Sequence, residues 1–245
     1  MRIVSLVPSL TELLIYINAD VVGRTKFCIH PAADVKDIPK IGGTKTIHVD
    51  RVLALSPDLI IANKEENNKA DIEALISSGL RVLVTDIKDI DSAVDAIRTI
   101  GEVTNRTLEA DILAVAIDQQ FHKLAYADGR SVCYLIWRKP YMTIGHDTYI
   151  HSMLTRAGYS NLYADRDRYP EVNIEELARR APELIFLSSE PYPFAEKHIS
   201  ELQAACPESK VVLVDGEIFS WYGSRMLAAP LYLNTLLKSI GQRES

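Results

Sequence analysis

Apolar residues in this chain occur in short blocks, separated by segments in which they recur at helical spacing. Residues 3–7, 59–62 and 184–188 are blocks of the length and composition that buried strands have. Residues 93–100 instead place apolar side chains three and four positions apart, which is typical of one helix face. Strands that alternate with helices in this way predict parallel βαβ units.

One pattern occurs twice along the chain. Residues 52–62 predict the end of a helix, a turn at Pro57 and Asp58, and a buried strand. Residues 177–187 repeat the pattern around Pro182, and a short polar segment with carboxylates follows both copies. Two similar α/β halves imply two lobes, and a cleft between lobes is where a small ligand commonly binds.

A segment without glycine or proline lies between the two copies. Residues 105–127 predict a single helix of about 35 Å at the standard rise per residue, ended by Asp128 and Gly129. We therefore predict an N-terminal α/β lobe at residues 1–103, a linking helix at 104–127 and a C-terminal α/β lobe at 128–245.

The first helix has a sequence signature for its start. Ser9 is a good N-cap residue, and Glu12 follows it three positions later. This spacing predicts a capping box, in which both side chains bind backbone N–H groups of the first turn.

Composition narrows the possible functions. The 245 residues are 47% hydrophobic and 24% charged, which is typical of a folded globular chain. A net charge of −6 argues against a broad nucleic-acid interface. The spacing of the three cysteines matches neither a disulfide framework nor a zinc site. No apolar run reaches the roughly 20 residues of a membrane span.

Several segments together resemble the substrate-binding proteins of ABC importers for cobalamin, haem and iron–siderophore complexes. The opening Ile-Val-Ser-Leu-Val-Pro-Ser-Leu-Thr-Glu-Leu-Leu, residues 21–24, 41–43 and 52–62, and the central helix have this likeness, which extends over residues 2–240. The resemblance implies two Rossmann-like lobes joined by one long rigid α-helix, with the ligand in the cleft. The cobalamin-binding branch is the most similar one.

The resemblance also implies a set of ligand-binding residues in loops that follow the strands. We expect a corrinoid such as cobalamin first, and haem or a ferric siderophore next. Aromatic walls suit a large flat ligand, and arginine suits its anionic groups. The matching positions are Phe27, His30, Trp137, Arg138, Tyr141, Trp221, Tyr222 and Arg225.

Members of this family use one exposed glutamate on each lobe to engage the ABC permease. The candidates here are Glu65, Glu66, Glu190 and Glu196. This chain departs from the cobalamin-binding pattern at two places. Asn63 stands where a tryptophan is typical, and gapless alignment puts Lys69 where the glutamate is expected.

The function implied by the resemblance is a non-enzymatic, monomeric receptor that needs no cofactor of its own. Residues 1–8 are too short a segment for a secretion signal. We therefore expect a periplasmic or membrane-anchored protein whose signal is absent from this sequence. A cytoplasmic enzyme or metallochaperone of cobalamin or metal metabolism that reuses the fold is the alternative.

The histidines keep a metal hypothesis open. His30 and His146 could bind a bare divalent ion from the two lobes, although scattered surface histidines are more common. His30, Tyr141 or Tyr222 could be an axial ligand of haem iron. Residues 42–46, Gly-Gly-Thr-Lys-Thr, lack the spacing of a phosphate-binding loop, so we predict a turn there.

Overall fold

The apolar blocks form the strands of two four-stranded parallel sheets in a computed structural model that describes residues 1–241. The strands in chain order are β1 (Ile3–Ser5), β2 (Val21–Arg24), β3 (Gly42–Gly43), β4 (Thr46–Ile47), β5 (Leu59–Asn63), β6 (Val82–Thr85), β7 (Ser131–Leu135), β8 (Tyr141–Met142), β9 (Ser160–Asn161), β10 (Glu171–Val172), β11 (Leu184–Ser188) and β12 (Lys210–Val214). The predicted α/β class with parallel sheets and flanking helices is confirmed.

Helices connect most of the strands. They are α1 (Pro8–Tyr16), α2 (Ala32–Val35), α3 (Val49–Ala54), α4 (Lys69–Ser77), α5 (Ile90–Val103), α6 (Thr107–Phe121), α7 (Tyr149–Arg156), α8 (Ile174–Arg180), α9 (Glu196–Ala205), α10 (Gly216–Ser220), the 3-10 helix Ser224–Leu227 and α11 (Ala229–Ile240). In the part of the chain that the structure describes, no helix has the length and apolarity needed to cross a membrane.

Contacts divide the chain into two compact units, which are the two lobes. Unit 1 contains Met1–Ile87, Asp91–Gln119 and Trp221–Leu227. The described residues of unit 2 are Lys88–Ile90, 120–220 and 228–241. This grouping differs from the predicted boundaries, since Trp221–Leu227 joins the first unit. The rigid linking role of residues 104–127 stays a prediction.

The two sheets have the same topology. Unit 1 has the strand order β2-β1-β5-β6, and unit 2 has β9-β7-β11-β12. Ile3 pairs with Leu59 in unit 1, and Val132 pairs with Leu184 in unit 2. Because β5 and β11 are separated by the 125 positions of the sequence repeat, the duplication extends to the whole sheet.

The repeated acidic residue after proline has one structural role in both units. Asp58 Oδ2 accepts a hydrogen bond from the Arg2 N–H at 2.6 Å, just before β1. Glu183 Oε2 accepts one from the Ser131 N–H at 3.0 Å, at the start of β7. Arg2 and Ser131 occupy equivalent register positions, so each carboxylate fixes the start of the strand beside its own.

Two local predictions differ from the structure. The helix expected at residues 105–127 is α6, which begins and ends inside that range. Asn105 has a left-handed backbone (φ 58°), which turns the chain after α5. Beyond α6, which ends at Phe121, the Ala125 N–H donates to Asn234 Oδ1 at 2.7 Å instead of to a helical carbonyl.

The predicted capping box at Ser9 and Glu12 is also wrong. α1 begins at Pro8, its N-cap is Val7, and no side chain caps it. Proline suits this first position because it lacks the N–H that would need a partner there. The Glu12 carboxylate instead binds Ser224 and Arg225, far along the chain.

Candidate functional site

Asn63 shapes the acidic loop at the carboxyl end of β5. Its side chain is fully buried, and its Oδ1 accepts hydrogen bonds from the N–H groups of Glu65 (2.8 Å) and Glu66 (3.3 Å). Its Nδ2 donates to Thr85 Oγ1 on the neighbouring strand at 3.0 Å. The residue that departs from the cobalamin-binding pattern is therefore the one that folds this turn.

The Glu66 carboxyl lies in a partly buried position. Burial raises its pKa above the ordinary value, and the positive charge of Lys45 opposes that shift. The Lys45 ammonium also donates to the Glu65 carbonyl oxygen at 2.5 Å. The loop thus places the Glu66 carboxylate near Lys45 and near the Glu65 carboxylate, with its backbone held by hydrogen bonds.

Ser188 has the matching position at the end of β11. Its Oγ donates to the Glu190 carbonyl oxygen at 2.6 Å and accepts a hydrogen bond from the buried Tyr134 hydroxyl at 3.1 Å. Ser220 Oγ donates to Glu190 Oε1 at 2.7 Å. A buried polar side chain at the strand end therefore organises an acidic loop in each unit. Glu196, the last docking candidate, is exposed at the start of α9.

Three of the predicted ligand-binding residues come together in unit 1. The rings of His30 and Trp221 meet edge to face with centroids 5.6 Å apart. The Arg225 guanidinium lies over Trp221, 4.8 Å from the ring centroid, and forms an ion pair with Glu12. Only 7% of the Trp221 surface is exposed, so packing fixes the position of its ring.

Glu12 is a member of this cluster that sequence reasoning assigned to a helix cap. Its pairing with Arg225 spans more than two hundred positions, and no local spacing signals such a contact. Tyr222, the next residue after Trp221, is likewise buried. Phe27 is half exposed and lies beside the Lys26 ammonium, 4.9 Å from its ring centroid.

The other three predicted ligand-binding residues belong to unit 2. Arg138 Nη2 donates to Glu201 Oε2 at 2.7 Å, and the Tyr141 hydroxyl donates to Glu201 Oε1 at 2.7 Å. The hydrogen bond from Tyr141, and with it the Arg138 guanidinium, lowers the pKa of Glu201 below the usual carboxyl value. Sequence reasoning missed Glu201, which lies on α9 and not in a strand-end loop.

An aromatic cluster supports the loop after β7. Trp137 is 40% exposed and meets Tyr192 edge to face, with ring centroids 5.8 Å apart. Tyr192 in turn contacts Phe194, whose ring stacks parallel to Tyr141 at 6.5 Å. Part of the Trp137 side chain is therefore open to solvent, whereas Phe194 in the same cluster is buried.

Residues 1–241 contain no group of three or more His, Cys, Asp or Glu side chains close enough together to hold a metal ion. His146, the other histidine of the metal hypothesis, hydrogen bonds through Nδ1 to the Arg166 carbonyl oxygen at 3.0 Å.

We expect the Asn63→Ala variant to lose about 1–3 kcal/mol of unfolding free energy, because it leaves two loop N–H groups without their acceptor. Urea unfolding measures the change. Lys64→Ala is the matched control in the same loop, since Lys64 forms only an exposed ion pair with Asp86, worth about 0–1 kcal/mol. Equal losses in the two variants would contradict the role given to Asn63.

The lowered pKa of Glu201 predicts a pH-dependent contribution to stability. The ionised carboxylate stabilises the fold above its ordinary pKa of 4.5, and that contribution is lost as the pH falls through the lower folded-state pKa. Wild type should therefore be more stable than Glu201→Gln at about pH 6, and the difference should shrink as the pH falls below 4.5. Thermal unfolding measures the difference, with the exposed Glu208→Gln variant as control. A difference independent of pH would contradict the assignment.

The sequence is similar to those of known vitamin B12-binding proteins. The vitamin B12-binding protein of Pectobacterium carotovorum is 24% identical over 254 residues, which cover 100% of this chain and 91% of that protein. The vitamin B12-binding protein of Salmonella paratyphi A is 26% identical over 192 residues, covering 76% and 72%. Both relatives are named as binding proteins and not as enzymes.

Two solved structures share the architecture. The periplasmic vitamin B12-binding protein of Vibrio cholerae superposes with a TM-score of 0.83 at 21% identity, covering 99% of this chain and 98% of that one. The periplasmic haem-binding protein of the same species gives 0.81 at 22% identity, covering 97% and 98%. At these identities the structures establish a common fold.

A model of the family described as periplasmic binding proteins matches residues 3–205, which is most of the chain. The match includes both copies of the repeat and both acidic loops described above. The chain therefore belongs to the periplasmic binding protein family.

Proposed function

We propose that this protein is the solute-binding receptor of an ABC importer and captures a metal-containing macrocycle or chelate outside the cytoplasm. The observation that supports the proposal is a packed cluster of aromatic and cationic side chains, in which Trp221 contacts His30 and Arg225, in a chain of the periplasmic binding protein family. A corrinoid is the first candidate, since the similar curated proteins are vitamin B12-binding proteins. Haem follows, and a ferric siderophore is third.

The packed cluster in unit 1 is the part of the site best suited to fix a ligand. Trp221 is held between His30 and Arg225, so its ring loses little conformational freedom on binding. Glu12 neutralises part of the Arg225 charge and orients the guanidinium. Phe27, Tyr222, Trp137, Arg138 and Tyr141 complete the proposed ligand-binding set.

Calorimetric titration of the ligand-free protein with cyanocobalamin, haemin and a ferric siderophore tests the receptor proposal. We expect one of these to bind at a single site with submicromolar affinity. Trp221→Ala and Arg225→Gln should each weaken that affinity roughly tenfold or more, which corresponds to about 1.4 kcal/mol.

Tyr16→Ala and Arg98→Gln are the controls, because both residues are exposed and outside the proposed set. Unchanged affinity in the Trp221 and Arg225 variants would show that the pocket is elsewhere. Absence of binding by all the complexes would overturn the proposed ligand class.

We further propose that the acidic loops dock the permease. Glu65 and Glu66 follow β5, and Glu190 follows the equivalent strand β11, so the repeat presents carboxylates at matching places in the two units. Glu196 is exposed nearby in sequence. Rim charges of this kind mainly govern the association rate and the choice of partner.

Charge reversal separates docking from ligand capture. The Glu65→Lys/Glu190→Lys double variant should bind ligand normally but lose most of its stimulation of ATP hydrolysis by the cognate importer in proteoliposomes. Glu102→Lys/Glu208→Lys is the control, with one exposed glutamate reversed in each unit. Full stimulation by the Glu65/Glu190 double variant would contradict the docking assignment.

A further inference from the structure

The turn at residues 42–46 is a β-hairpin that lines a basic cavity in unit 1. β3 and β4 pair antiparallel, with Thr44 and Lys45 at the tip. The cavity has a volume of about 660 Å³. Its lining residues are Lys26, Phe27, Lys40, Gly42, Gly43, Thr44, Lys45, Thr46, His48 and Arg51.

The charged residues that line this cavity are all positive. Four of its lining residues, Lys26, Lys40, Lys45 and Arg51, are cationic, and none is acidic. Within residues 1–241, none of these four cations forms an ion pair with a carboxylate. Glu66, which does not line the cavity, interacts electrostatically with Lys45 and offsets part of its positive charge. The charges of Lys26, Lys40 and Arg51 are not offset in this way. A chain with a net charge of −6 thus concentrates positive charge in one concave place.

An apolar surface adjoins these charges. The Phe27 ring is half exposed, and a Cβ atom at Gly43 would lie 3.3 Å from its Cε2 atom. The absence of a side chain at Gly43 therefore lets the ring lie against the hairpin backbone. The Lys26 ammonium sits over the same ring. A ligand that fits here has a flat apolar body and anionic groups at one edge.

We infer that this cavity binds the carboxylate groups of the ligand, so that the receptor selects macrocycles and chelates that carry carboxylates over neutral ones. The inference rests on the proposed function and specifies its substrate class. Haem has two carboxylates at one edge of a flat ring. The rim of cobalamin carries neutral amides, which make no use of four cations.

The cavity can be tested without any macrocycle. Citrate, a small polycarboxylate, is titrated into the isotopically labelled wild-type protein while amide resonances are followed by NMR. The signals of Gly42, Gly43 and Thr44 should shift saturably. The shifts should vanish in Lys26→Gln/Lys45→Gln and persist in Lys64→Gln/Lys69→Gln, which removes two exposed lysines outside the cavity. Absence of localised shifts in the wild type would overturn the inference.

Esterification tests selection by the receptor. Haemin should bind roughly tenfold or more tightly than haemin dimethyl ester, a difference of about 1.4 kcal/mol, and the ratio should approach unity in Lys26→Gln/Lys45→Gln. Equal affinities of acid and ester in the wild type would overturn the inference. So would tight binding of cyanocobalamin that is unaffected by the two substitutions, although the receptor proposal would then stand. Citrate binding without any macrocycle binding would leave the cavity intact and contradict the proposed function.

Discussion

The parallel direction of all strands in each main sheet is the constraint on which the rest of the structure depends. Because parallel strands end at the same edge, every loop that follows a strand in a unit is brought to one side of that sheet. Asp58 and Glu183 hold this arrangement by accepting a hydrogen bond from the start of the neighbouring strand. A carboxylate on a backbone N–H is a charge-assisted hydrogen bond, which is stronger than a neutral one.

At that edge, buried polar side chains convert strand ends into ordered loops. Asn63 and Ser188 both bind the backbone of the residues that follow them: Asn63 Oδ1 accepts from the Glu65 N–H, and Ser188 Oγ donates to the Glu190 carbonyl oxygen. Each must be paired, because an unpaired polar group in the interior is costly. Buried side chains of the two sheets therefore fix the backbone of the acidic loops, while Glu65, Glu66 and Glu190 are only partly buried.

The sequence was sufficient to predict the fold because its signals are local. Helix α8 and strand β11 lie at the predicted residues, since the apolar period and the Pro182 turn determine them. The end of α6 at Phe121 was not predicted, because the absence of glycine and proline up to residue 127 gives no local signal for it, while the segment beyond it bonds to the distant Asn234. The spacing of Ser9 and Glu12 predicted a capping box, but the helix begins at Pro8, one residue before Ser9.

The resemblance supplies the candidate site residues as a prediction, but not the contacts that these residues make. The resemblance named Trp221 and Arg225 as candidates, which remains a prediction, but their contact with each other could not be read from the sequence. Glu12 and Glu201 were missed because their partners are far away in sequence. The basic cavity was missed for a similar reason, because its cations come from separate segments of the chain that only the fold brings together.

Competitive equilibrium dialysis tests the central claim most directly. The ligand-free protein is dialysed against an equimolar mixture of cyanocobalamin, haemin and a ferric siderophore, and the retained metal and chromophore are then measured. The receptor proposal predicts that one complex is retained at one equivalent per chain. Retention of haemin in preference to cyanocobalamin would in addition support the inference about the basic cavity. Retention of none would contradict the receptor assignment.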